Sequence, residues 1–389
     1  MHGNAVILLA ALAAVPTESP ARAADDGDDD DTIVVYVGTF TDGESRGIYR
    51  FALDPVSGEA TRPVLAAASE SPSFLALHPG GRFLYAVTET DDFGGEKTGA
   101  VSAFAIDPSS GDLRPLNQQP SMGADPCHLV LDEAGRNLLV ANYNGGNVAV
   151  LPVAEDGRLG APSAVQAHGG SGPNRRRQEG PHAHGLALAP DERFVLVADL
   201  GADRVFVHRF DPAASTLEPN APPSAATEPG SGPRHVVFHP SGRHVYAINE
   251  LLSTVAVFRY EADSGALELV QTITTLPAGF EGESWTAEIA VSPDGRFLYG
   301  SNRGHDSLAV FAVDAASGSL TPVGHVSTGG RTPRHFGIDT TGRWLLAANQ
   351  GSDTVVVFRI DTATGLPSAV GEPVRVPKPA CLLMVPPVR

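Results

Sequence analysis

From residue 33 onward the chain is written in short runs in which apolar and polar side chains alternate. That period turns one face of a β-strand into a core. A longer unit recurs six times: an alternating strand, a Pro/Gly-Arg turn, then a more apolar strand ending in a polar residue. The copies are FLALHPGGRFLYAVTE (74–89), HLVLDEAGRNLLVANY (128–143), GLALAPDERFVLVADL (185–200), HVVFHPSGRHVYAINE (235–250), EIAVSPDGRFLYGSNR (288–303) and HFGIDTTGRWLLAANQ (335–350). Most continue into a third alternating strand, such as RVFVHRF or TVVVFRI. A turn like Asp314-Ala315-Ala316-Ser317-Gly318 and a fourth, shorter strand follow. The turn arginines Arg82, Arg136, Arg193, Arg243, Arg296 and Arg343 lie 47 to 57 residues apart. A repeat of that length carrying four strands predicts a propeller blade.

Six copies leave a fragment at each end. IVVYVGTF (33–40) matches a second strand, GIYRFALDPVSG (47–58) a third, and 379–386 a first. Joined, they make a seventh blade and remove the open sheet edges. The expected fold is all-β, a seven-bladed β-propeller over 32–389 closed by pairing the chain's two ends.

The 389 residues carry a net charge of −18, which argues against nucleic acid or an anionic membrane surface as partner. Ala5 to Val15 is an apolar run of signal-peptide length followed by an A-x-A site at Ala21-Arg22-Ala23. Residues 1–23 therefore read as a signal peptide and 24–31 as an acidic linker. Export to the periplasm or outside the cell is expected, and a cytoplasmic place is the alternative if the leader does not function. Cys127 and Cys381 give no disulfide framework.

The repeat locates a site before any chemistry is invoked. Residues before the first strand and after the second of each blade ring one mouth of the central channel. The first set is Ser73, Cys127, His184, Arg234, Ala287, Arg334 and Ala380. One step inward stand Phe74, His128, Gly185, His235, Glu288, His335 and Cys381. Second-strand ends add Thr88-Glu89, Asn142-Tyr143, Asp199-Leu200, Asn249-Glu250, Asn302-Arg303 and Asn349-Gln350. A purely structural ring would repeat small or apolar residues, whereas this one differs in every blade. A salt-bridge plug of Arg234, Glu250 and Arg303 is the bland alternative. The recurring turn arginines read as scaffold, as do His78 and His239 on the opposite face. Before blade three the frame is broken by GSGPNRRRQEGPHAH (170–184), and length-breaking loops commonly carry function. Its His182-x-His184 pair could hold a metal, but no third ligand lies nearby in sequence, so no metal or other cofactor is expected.

PHAHG (181–185), GPRHVVFHPSGRHVYAINE (232–250), AEIAVSPDGRFLYGSNR (287–303) and TPRHFGIDTTGRWLLAANQ (332–350) resemble the lactonase-family seven-bladed propellers. That group includes the bacterial propeller-type 6-phosphogluconolactonases and has fungal carboxymuconate cyclases as relatives. The resemblance covers essentially everything after residue 31. It implies a lactone-handling mouth whose motif residues fall on His184, Arg234, Glu250 and Arg303.

These residue types suit ring opening by water. Arg234 or Arg303 can neutralise charge growing on the ester carbonyl oxygen, and His184 or Glu250 can move the proton. His182, His235, Asn302, Arg334 and His335 would line the pocket. An all-β repeat offers no strand-to-helix nucleophile elbow, so a covalent acyl-enzyme is not expected. The expected function is hydrolysis of a sugar lactone, 6-phosphogluconolactonase-like, by a monomer or weak homodimer whose partner is the small-molecule substrate. A muconate-type lactonizing or delactonizing enzyme and a non-catalytic binding propeller are the alternatives.

Overall fold

The computed structural model describes residues 32–385, together with Met1. The leader and the acidic linker lie outside the described residues. The predicted propeller is the observed architecture: seven four-stranded antiparallel sheets, with one 3-10 turn at Gln350–Ser352 among the described residues. Blades one to six begin with inner strands at Leu75–Leu77, Pro126–Leu131, Ala183–Leu188, Pro233–Phe238, Trp285–Val291 and Pro333–Ile338. The seventh is built as expected. Pro379–Val385 is its inner strand, and it pairs with Ile33–Thr39 in the register Val34↔Val385, Tyr36↔Leu383 and Gly38↔Cys381.

The second strands, such as Phe83–Thr88 and Trp344–Asn349, are buried from end to end. Both their faces meet a neighbouring blade. Accordingly the described core divides into seven apolar clusters, each shared between two adjacent blades. One combines Tyr85 and Val101 of blade one with Leu138 and Val140 of blade two, and another joins Phe51 of blade seven to Trp344 of blade six.

Polar latches repeat between blades. Tyr85, Tyr246 and Tyr299 each donate a hydroxyl proton to a glycine carbonyl of the next blade, at Gly157 (3.0 Å), Gly318 (3.0 Å) and Gly365 (2.8 Å). Gly365 has a φ of +76°, and a Cβ there would strike the Phe297 ring, so only glycine serves. The turn arginines are scaffold, as expected. Arg193, Arg243 and Arg296 donate to the carbonyls of Ala262, Ala315 and Thr362 on the following blade. On the same face His78 and His239 contact the carbonyl oxygens of Gly135 (3.1 Å) and Gly295 (2.9 Å). Cys127 and Cys381 are buried free thiols.

Because each cluster needs two blades, opening the ring should cost far more than one strand. Truncation after Lys378 removes the closing strand and bares the edge of Ile33–Thr39. It should yield a protein that aggregates and lacks one cooperative thermal transition, measured by calorimetry and gel filtration.

Candidate active site

Four inner strands break register at their second residue. The irregularities fall between Pro126 and His128, Ala183 and Gly185, Pro233 and His235, and Pro333 and His335. The residues inside these bulges are Cys127, His184, Arg234 and Arg334. A bulge re-aims a side chain that simple alternation would send elsewhere. All four of these side chains line one mouth of the channel.

The mouth holds a cavity of about 380 Å³, a size suited to a small molecule. Arg177, Arg234, Arg303 and Arg334 reach its wall, against two carboxylates, Glu89 and Glu250. Tyr143, His184, Cys127 and Trp285 complete it. Glu250 is the hub. Its Oε1 accepts from Arg177 Nη2 at 2.6 Å, and its Oε2 lies 2.9 Å from Arg234 Nη1 and 2.8 Å from Arg303 Nη2. Burial alone would raise its pKa, but Arg303, Arg234 and Arg177 together outweigh that and hold the carboxyl well below the usual range. The arginines are themselves anchored. Arg234 Nε donates to the Ala287 carbonyl (3.1 Å), Arg303 Nη2 donates to that of Thr286 (2.8 Å), and Arg334 lies over the Phe40 ring.

His184 Nε2 is in hydrogen-bond contact with Arg234 Nη1. A guanidinium only donates, so Nε2 accepts and the ring proton sits on Nδ1, 3.6 Å from Cys127 Sγ. Burial and then Arg234 push this imidazole well below its ordinary pKa, so it is neutral. Burial likewise pushes the Cys127 thiol up, which disqualifies it as a nucleophile.

Other expected residues fall into four groups. Arg334 lines the mouth itself. His235 and His335 lie deeper, bordering a second cavity of about 10 Å³ and meeting Glu288 at 3.1 and 3.3 Å. His182 stands behind the wall. It stacks on Tyr143 (4.5 Å between centroids) and its Nδ1 donates to the Tyr143 carbonyl. Asn302 is not at the cavity. Its fully buried amide donates to the Thr275 carbonyl (3.0 Å) and accepts from the Thr275 hydroxyl (2.6 Å), tying blade five to the end of blade four's outer strand. Asn142 and Asn349 make the same kind of bond to Ser121 and Thr328. Its recurrence across blades was the signal that marks Asn302 as frame.

Sequence reasoning left Arg177 unassigned among three consecutive arginines. The structure selects it through its neighbour. Gln178 is buried and donates to the Leu200 carbonyl and to Asp203, pinning the loop so that Arg177 turns inward while Arg175 and Arg176 stay exposed. Glu89 and Tyr143 belonged to the predicted ring without being given a role.

The description "Lactonase, 7-bladed beta-propeller" matches residues 34–384. The chain belongs to this lactonase family. A 6-phosphogluconolactonase of Bacillus subtilis is 40% identical over 306 residues, spanning 79% of this chain and 85% of the relative. A 6-phosphogluconolactonase of Formosa agariphila is 35% identical over 311 residues, 78% of this chain and 86% of that one. Among solved structures, the periplasmic gluconolactonase of Pseudomonas aeruginosa superposes with a TM-score of 0.86 at 38% identity, covering 92% of this chain and all of that one.

The hub of this lactonase-family mouth has a pH signature. A depressed carboxyl stabilises the fold fully above its unfolded value, near 4.5, and loses that contribution as pH falls toward its folded value. Glu250→Gln should therefore cost about 3 kcal/mol at pH 7. In urea melts at successive pH values, its deficit against wild type should shrink below the ordinary carboxylate range.

Proposed function

We propose that this chain is a carboxylic-ester hydrolase that opens a sugar lactone by direct attack of water, in the manner of a 6-phosphogluconolactonase. The observation that carries the reading is the convergence of four guanidiniums on one cavity in a protein whose net charge is −18. Such a pocket favours a species that gains negative charge. In ester hydrolysis that charge grows on the carbonyl oxygen, and a fixed guanidinium in a partly dry site stabilises it without reorganising.

Arg234 is the electrophile in this reading, since its guanidinium is held in the wall by Ala287, His184 and Glu250. Arg303, Arg334 and Arg177 remain to grip the substrate's hydroxyls or an anionic substituent, the fork geometry suiting a carboxylate or phosphate. Glu250 keeps these cations close together, and His184 fixes the Arg234 plane.

The substrate class turns on location. The apolar leader, with its A-x-A site, and the similarity to a periplasmic gluconolactonase both favour an exported protein acting on an unphosphorylated lactone. The Bacillus relative favours the phosphorylated one.

The test is hydrolysis by the purified protein of 6-phosphogluconolactone, gluconolactone and a muconolactone, with Arg234→Ala beside it. Wild type should exceed spontaneous opening on a sugar lactone, and Arg234→Ala should lose at least about 100-fold in kcat/KM. Preference for the muconolactone would move the reaction to the lyase class. Identical rates for both proteins on all three would defeat the hydrolase reading.

A further inference from the structure

The repeat places a second carboxylate at the mouth in the position equivalent to Glu250. Thr88-Glu89 ends the second strand of blade one as Asn249-Glu250 ends that of blade four, so the two acids stand on different sides of the channel. Their surroundings differ sharply. Glu250 is bound by three guanidiniums, whereas Glu89 Oε2 accepts from the Ser73 hydroxyl and Oε1 lies 4.0 Å from Arg334 Nη2. Among the described residues, Oε1 accepts no hydrogen bond. Glu89 also borders both the substrate-sized cavity and the inner one, whose 10 Å³ is room for a single water.

The other two candidates for moving a proton are engaged. The His184 Nε2 lone pair is taken by Arg234, and the basicity of Glu250 is quenched by its three cations. We infer that Glu89 is the group that takes the proton from the attacking water. This rests on the lactone-hydrolase reading. As the water oxygen bonds to the ester carbon, its proton passes to Glu89 Oε1 and the carbonyl electron pair moves onto the oxygen facing Arg234. Collapse of the adduct breaks the bond from that carbon to the ring oxygen. The departing oxygen takes the proton from Glu89 and leaves as a hydroxyl, returning the carboxylate. One lactone and one water become one hydroxy acid.

The electrostatics fit the role. Burial pushes the Glu89 carboxyl up, opposed by Arg334, by Ser73 and by the more distant Arg234, with Asp125 adding to the rise. A raised carboxylate is a stronger base than an ordinary one. Two acids whose surroundings drive their titrations apart are the usual mark of divided roles.

The experiment compares the pH dependence of kcat for wild type, Glu89→Gln, Glu89→Asp and Ser73→Ala on whichever lactone wild type prefers, with spontaneous opening subtracted. Wild type should gain rate with pH through one ionisation above the ordinary carboxylate range. Glu89→Gln should lose about 100-fold or more in kcat with little change in KM, and its pH limb should flatten. Glu89→Asp should keep the limb and recover part of the rate. Ser73→Ala should move the limb to higher pH, because it removes a hydrogen bond that favours the anion. That shift remains readable if Glu89→Gln does not fold. A limb that stays in place in every variant, or wild-type kcat in Glu89→Gln, overturns the inference while leaving the lactonase reading intact. A wild type no faster than spontaneous opening overturns both.

Discussion

Everything in this molecule hangs on the pairing of Ile33–Thr39 with Pro379–Val385. No blade owns its core: each apolar cluster is half one blade and half the next, so a missing partner strips two interfaces at once. The joint has a buried centre, with Val35 and Val37 fully enclosed in the same cluster as Leu382. Closure also removes the two free edges that a row of twisted sheets would otherwise present.

A closed ring of repeats leaves one place where charge can collect without disturbing the core, and that is the end of the channel. Inner strands there meet one another across blades through polar contacts, such as Arg234 Nε on the Ala287 carbonyl and Cys127 against His184. The bulges at Cys127, His184, Arg234 and Arg334 re-aim these side chains into the mouth, where strict alternation would not put them. The cost of gathering guanidiniums in a partly buried mouth is met by Glu250, which touches three of them. Uncompensated, the like charges would repel and lose hydration together. The ion cluster thus gathers three of the mouth's cations around one carboxylate beside an open cavity. The bland salt-bridge reading and the functional one describe the same atoms.

How far the sequence could be read follows from this division. The fold was legible down to the composition of the seventh blade, because strand period and turn chemistry repeat and errors in one copy are corrected by the others. The hub of the site was legible too, since Arg234, Glu250 and Arg303 stand out against a repeating background. What escaped was information the repeat does not carry. Asn302 was misplaced in the pocket because a polar residue at a strand end looks the same whether its amide faces the channel or the end of the preceding blade. Only the parallel with Asn142 and Asn349 separates the two. Arg177 sits in a loop unique to blade three, where its inward turn depends on the burial of Gln178, a tertiary contact with no sequence period.

The two glutamates carry the argument one step further. Repeat symmetry gives Glu89 and Glu250 the same side chain at the same position, each just past the second strand of its blade. What separates them is the set of groups that surrounds each. Three arginines converge on Glu250 from blade four itself, the blade-three loop and blade five, while Glu89 meets only Ser73 of its own blade and Arg334 of blade six at 4.0 Å. Identical residues are thus driven toward opposite protonation behaviour by what stands across the channel. In a propeller, the chemistry of a mouth residue is set less by its own blade than by which blades it faces. A repeat diversified at its ring positions can therefore set one carboxylate to hold cations and leave another free to accept a proton.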